Sequence, residues 1–263
     1  MDLGDIDDLL HDIPHVLALG EPPPLCHRLA EADTELLEKA WPAARPWIDS
    51  RFFEEAAVVA GMAVEEVAGS MPPSDHHVRY GGLGGADLPD VDRMVEGLLQ
   101  RAVKVHFVTL AWHRSITEPG FGDPDRASAR ALVPGRCHFM CDPPRPAAGA
   151  DALAARAAST MGMPVAAGEL LSLTPWPTYL KVASADLAER AGSDAHTETV
   201  QRVTDRACET VAGLAAPMPR LERHEGPGAS LVAECADAGP ALIVAAAFLR
   251  LGLPEVARIP RVA

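Results

Sequence analysis

Glu169 is an acid in apolar company, within the run Gly168-Glu169-Leu170-Leu171-Ser172-Leu173-Thr174-Pro175-Trp176-Pro177. It stands seven positions before a Trp-Pro pair that opens a helix. Burying a carboxylate costs several kcal/mol unless the group is paired or put to use, so an acid in such a setting is a candidate base. The opposing reading is an exposed glutamate on the first turn of a helix, where negative charge is favoured. Residue chemistry alone leaves both open. Lys104, His106 and His113 interrupt an otherwise apolar helical stretch. Near a core stripe such residues more often snorkel or hydrogen-bond than catalyse.

The cysteines offer less. Cys26, Cys137, Cys141, Cys208 and Cys235 are odd in number and scattered, which argues against a disulfide framework. Cys137-His138-Phe139-Met140-Cys141 has the wrong spacing for a zinc corner and no second pair follows. No metal and no cofactor are expected. The 263 residues are 48% hydrophobic, ample for a core, and 37 acidic against 23 basic residues give a net charge of −14 without a Lys/Arg cluster. That balance argues against nucleic acid and anionic membrane as partners. Met1 to Asp5 lacks the basic start and apolar core of a signal peptide. The longest apolar run, Ala241 to Leu249, is too short to span a bilayer. A cytoplasmic protein acting on a small molecule is the expectation.

The elements that must position these residues read as helices throughout. A short acidic helix from Asp5 is expected to stop at Pro14, and helical spacing runs from Leu25 to Ala44 with Trp41-Pro42 breaking it. Trp47 to Ala68 carries a stripe of Ile48, Phe52, Ala56, Val59 and Ala63. Val91 to Ile116 is the longest pattern of the first half, with Met94, Val95, Leu98, Leu99, Ala102, Val105 and Val108 inward. The loop holding Gly81-Gly82 and Gly84-Gly85 lacks the strand and the Gly-Lys-Ser/Thr of a phosphate-binding loop. Asp151 to Thr160 is a further short helix stopped by Gly162-Met163-Pro164, and Ala241 to Leu251 should be a buried helix.

No stretch alternates with period two for more than a few residues, so the fold class is all-α. The order of a short helix, an X-Pro stop, a Trp-Pro pair and a long helix occurs twice, pairing Pro14 with Pro164 and Trp41-Pro42 with Trp176-Pro177. This implies two fused helical repeats, residues 1–116 and 151–263, around a Pro/Gly-rich linker at 117–150. Such a duplication is expected to pack as a pseudo-dimer with a cavity at its seam, faced by Pro14 to Leu19 and Pro164 to Glu169.

From Trp176-Pro177-Thr178-Tyr179-Leu180-Lys181-Val182 through Gly213, and more weakly over most of the chain, the sequence resembles the group I DL-2-haloacid dehalogenases. The resemblance implies an all-α fold of two fused repeats with the active site between them. It also implies a catalytic carboxylate, seven residues before the Trp-Pro pair, that activates water against a halogen-bearing carbon. That position is Glu169, preceded by Gly168 where the family has serine. The family's water-holding asparagine falls near Lys104, and the aromatic pair flanking the substrate falls on His15 and Ala18. A glutamate carries its carboxylate ~1.5 Å further out than an aspartate, and lysine replaces the water site. These departures point to an internal nucleophile, as in distant relatives that close an aziridine ring in natural-product pathways.

The expected function is therefore displacement of halide or sulfate from a saturated carbon, with Glu169 as base and Lys104, or protonated His106 and His113, receiving the anion. His15, His106, His113, Trp41, Trp176 and Phe248 are expected to contact the substrate. The alternatives are a hydrolytic 2-haloacid dehalogenase and a catalytically silent helical protein that partners an accessory subunit.

Overall fold

A computed structural model describes residues 5–69, 83, 87–118, 121, 148–214, 221 and 224–253. Among them there is no strand. The elements are α1 (Ile6–Leu17), α2 (Pro24–Ala32), α3 (Thr34–Ile48), α4 (Arg51–Ala68), α5 (Leu88–Thr117), α6 (Ala150–Thr160), a 3-10 segment (Pro164–Leu173), α7 (Pro177–Arg190), α8 (Asp194–Leu214) and α9 (Pro227–Leu251). The fold is all-α, as the spacing implied. The glycine loop at 81–85 and the Cys137–Cys141 stretch lie almost entirely outside the described residues, as does most of the 117–150 linker.

Helix starts follow the chemistry of unsatisfied N–H groups. Asp5 accepts from Asp7 N, Asp33 from Leu36 N, Ser50 from Phe53 N and Ser193 from His196 N. Proline, which has no N–H to lose, opens α2, α7 and α9 at Pro24, Pro177 and Pro227. Helix ends depart from expectation. Pro14 lies inside α1, Pro42 and Pro46 inside α3, and Pro240 inside α9. A helix-interior proline costs roughly 3 kcal/mol. In α3 the buried Leu36, Leu37, Ala40, Trp41, Ala44, Trp47 and Ile48 outweigh it. The real break falls at Asp33, between α2 and α3.

The chain divides into two compact units, described separately. The first comprises Met1–Ala60, Val103–Met140 and Asp205–Gly239. Leu9, Ile13 and Trp41 are buried in its core, and Phe53 meets Trp47 and Phe107 edge-on at 5.0 and 6.3 Å. Asp33 does double service there, accepting from Gly228 N at 3.2 Å besides Leu36 N, with His224 Nε2 at 2.7 Å. The second comprises Gly61–Ala102, Cys141–Thr204 and Pro240–Ala263, with Leu98, Leu99, Leu170, Leu173, Tyr179, Leu180, Leu187 and Val244 buried. The four long helices α4, α5, α8 and α9 each give one part to each unit.

On α4 the buried face is Phe53, Ala57, Val64 and Ala68, one position round from the stripe read in the sequence, and Phe52 and Val59 are exposed. Alanine, valine and phenylalanine occupy both faces, so periodicity cannot choose between them. Helix α9 is long and apolar enough by composition to cross a membrane, but 61% of its most apolar window is buried in the fold.

His106 on α5 is 3% exposed, and neither ring nitrogen has a hydrogen-bond partner among the described residues. Its ring lies against Gly239 of α9, where an added Cβ would stand 2.7 Å from Cγ and closer still to Nδ1. Burial pushes the imidazole down to about 4 from 6.5. A lowered histidine contributes stability fully above its unfolded value and loses it as pH falls through its folded value. About 3 kcal/mol should therefore disappear between pH 6.5 and about 4. Chemical denaturation of wild type and His106→Leu across that window checks it: the variant's stability is expected to fall less steeply, and parallel curves would refute the assignment. Gly239→Ala is expected to cost ~1 to 3 kcal/mol through overpacking, much of it recovered when His106 is also cut to Ala.

Candidate functional site

The 3-10 segment that carries Glu169 is set up by the end of α6. Gly162 takes a left-handed φ of 74°, and its N–H donates to Ser159 O while Met163 N donates to Ala158 O, closing the helix. Pro164 then begins the segment, whose ten residues are long for this tighter helix. Leu170 and Leu173 anchor it in the core, and Thr174 Oγ1 donates to Leu171 O at 2.7 Å at its end. Glu169 is 7% exposed, so the exposed first-turn reading falls. Its Oε2 stands 3.2 Å from Arg101 Nε of α5, an ion pair without the alignment of a hydrogen bond. Arg101 is itself 8% exposed, and both residues belong to the second unit.

Lys104 has a different place, in the first unit. It is buried, and its Nζ donates to Glu54 Oε1 and to Leu17 O, each at 2.8 Å. The Leu17 carbonyl is an end of α1 left over by the helix, because Ala18 turns left-handed there at φ 53°. Lys104 thus caps α1 while neutralising Glu54. Two of its three donors are committed to protein groups rather than to an incoming anion.

The remaining candidates are dispersed. His106 is buried against Gly239, and neutral by the argument above, so the cation role expected of a protonated ring does not suit it. His113 is half-buried on α5, and His15 is exposed near the end of α1. Trp41 sits deep in α3, where its Nε1 donates to Asp12 Oδ2 at 2.8 Å. Trp176 precedes α7 as its N-cap and is half-buried. The two tryptophans, paired in the sequence reading, therefore occupy different local structures. Phe248 is buried in α9 with the Arg190 guanidinium 5.4 Å from its ring centroid.

Sequence reasoning passed over Arg101, Glu54 and Asp12. Asp12 is buried and takes two hydrogen bonds from Arg45, at 2.8 and 3.0 Å, besides that of Trp41. Burial pushes its carboxyl up, but these bonds and the Arg45 charge prevail and hold it below the usual carboxylate range. Arg250 meets Glu65, Glu96 and Asp92 at 2.6, 2.7 and 3.2 Å. The available signal was a charge placed on an apolar stripe, as with Arg101 one residue before the buried Ala102.

Three solved structures share this fold. They are a D-2-haloacid dehalogenase mutant in complex with D-2-CPA and a D-2-haloacid dehalogenase in complex with L-LA, both at TM-score 0.79 and 15% identity, and a D-2-halacid dehalogenase mutant at 0.78 and 14%. Each comparison covers 95% of this chain and 92%, 93% and 92% of the other, respectively. No family model and no curated protein matches the sequence. The chain has the all-α fold of D-2-haloacid dehalogenase over nearly its whole length.

Lys104→Met would leave the Glu54 carboxylate buried without its cation and the α1 end uncapped. A loss of ~3 to 5 kcal/mol in unfolding free energy is expected, with partial recovery in Lys104→Met/Glu54→Leu. A Lys104→Met protein as stable as wild type would show that the pair is dispensable.

Proposed function

We propose that this chain is an enzyme that displaces a leaving group from a saturated carbon of a small molecule, a 2-halo acid being the first substrate class to test. The observation that carries the reading is Glu169: a carboxylate buried on an irregular segment and charge-paired to Arg101, in a chain that shares the fold of D-2-haloacid dehalogenase. In the proposed step Glu169 takes a proton from the nucleophile as the nucleophile bonds to carbon, and the departing group leaves with the electron pair of the broken bond.

Water is the nucleophile that the fold neighbours favour, which makes the hydrolytic version the nearer one. A second reading, ring closure by an amine of the substrate itself with loss of halide or sulfate, is carried by Lys104. That lysine is tied to Glu54 and Leu17 where the resemblance places a water-holding asparagine. The two-repeat organisation with a substrate cavity at its seam, the cytoplasmic setting and a need for an accessory subunit belong to the same proposal.

Incubation with each enantiomer of 2-chloropropionate, with chloride and 2-hydroxy acid measured together, separates the versions. Hydrolysis gives both products in equal amounts. Ring closure gives no chloride here but releases the anion from a substrate that carries its own amine. Failure on both, alone and with a candidate partner protein, leaves the silent binding protein. Where turnover is found, Glu169→Gln is expected to lower it by ~100 to 10,000-fold while keeping the fold. Full activity in that variant would remove Glu169 from the mechanism.

A further inference from the structure

We propose that Arg101 is a positioning residue for Glu169, keeping the buried carboxylate ionised and held toward α5 so that it is ready to accept a proton. This rests on the base role given to Glu169 above. The argument begins with solvation. Glu169 is 7% exposed, flanked by the fully buried Leu170, and Arg101 emerges from α5 between Leu98, Leu99 and Ala102, all buried. With so little water at hand, desolvation favours the neutral acid. A carboxylic acid that keeps its proton cannot remove one from a nucleophile. A cation 3.2 Å away reverses that preference. Arginine suits the task because its guanidinium keeps its charge when buried, whereas a buried lysine readily loses it.

Other buried carboxylates of the chain are met by cations too. Asp12 is bound by two aligned bonds from Arg45 and one from Trp41, and Glu54 is hydrogen-bonded by Lys104. The Arg101 Nε contact supplies charge to Glu169 Oε2 from 3.2 Å. That charge favours the ionised carboxylate, the state from which a base must start.

The test follows the protonation of Glu169 directly, so that it can be read without a substrate. Infrared spectra of the full chain with isotope-labelled glutamate are recorded against pH, and the Glu169 carboxyl band is assigned by its loss in Glu169→Gln. In Arg101→Met the protonation midpoint is expected to rise by ~1 to 3 pH units relative to wild type, and in Arg101→Lys to rise by less. Arg101→Gln removes the charge but keeps a donor, and serves should the Met variant fail to fold. Where turnover is established, the acid limb of kcat/KM should move by the same amount. An unchanged midpoint in the charge-removing variants overturns the inference even in an active enzyme. A shifted midpoint in a protein inactive on every substrate tried upholds the charge relation and overturns the base reading instead.

Discussion

Burying charge is the constraint on which the rest of this fold depends. Asp12, Glu54, Asp92, Glu96 and Glu169 are all removed from water, and each is met by a basic side chain: Arg45, Lys104, Arg250 for both Asp92 and Glu96, and Arg101. An isolated buried carboxylate would be far too costly to keep ionised. Each pair therefore commits a stretch of helix to a partner distant in sequence, as residue 12 to 45, 54 to 104, 101 to 169 and 92 to 250. Helix α5 supplies the cation in two of these cases, Lys104 in one unit and Arg101 in the other. Apolar packing supplies the bulk of the stability, but it is indifferent to register in a chain so rich in Ala, Val and Leu, and the ion pairs are not.

That indifference explains what could be read from the sequence. The helical class and the long α5 follow from periodicity, because one apolar face per helix is enough to announce it, whereas the buried final helix follows from a run that is apolar on nearly every side. The face itself is less secure. On α4 the residues Phe52, Val59 and Ala63 make as good a stripe on paper as Phe53, Ala57 and Val64, and only packing distinguishes them. Proline misleads in the opposite way. Pro14 and Pro42 read as breaks, yet each is carried inside a helix whose buried side chains outweigh one lost hydrogen bond.

Within the candidate site, the apolar residues flanking Glu169 made its burial one of two open readings, and the fold decides between them. The identity of its partner was not legible. Lys104 and Arg101 are one helical turn apart on α5, and both look like cations on an apolar stripe. Only the folded chain shows that Lys104 is taken by Glu54 and the end of α1, while Arg101 meets Glu169. Duplication stays a proposal. The Trp-Pro pairs, one inside α3 and one at the start of α7, do not occupy equivalent places.

The account stands on Glu169 being the group that faces the reacting carbon. The most direct measurement is a crystal structure of Glu169→Gln soaked with a 2-halo acid that the wild-type enzyme turns over. The ligand's halogen-bearing carbon is expected beside the residue 169 side chain, within reach of one intervening nucleophile, with Arg101 still at that side chain. A ligand bound away from the 3-10 segment, with residue 169 and Arg101 packed together undisturbed, would contradict it and make the pair purely structural.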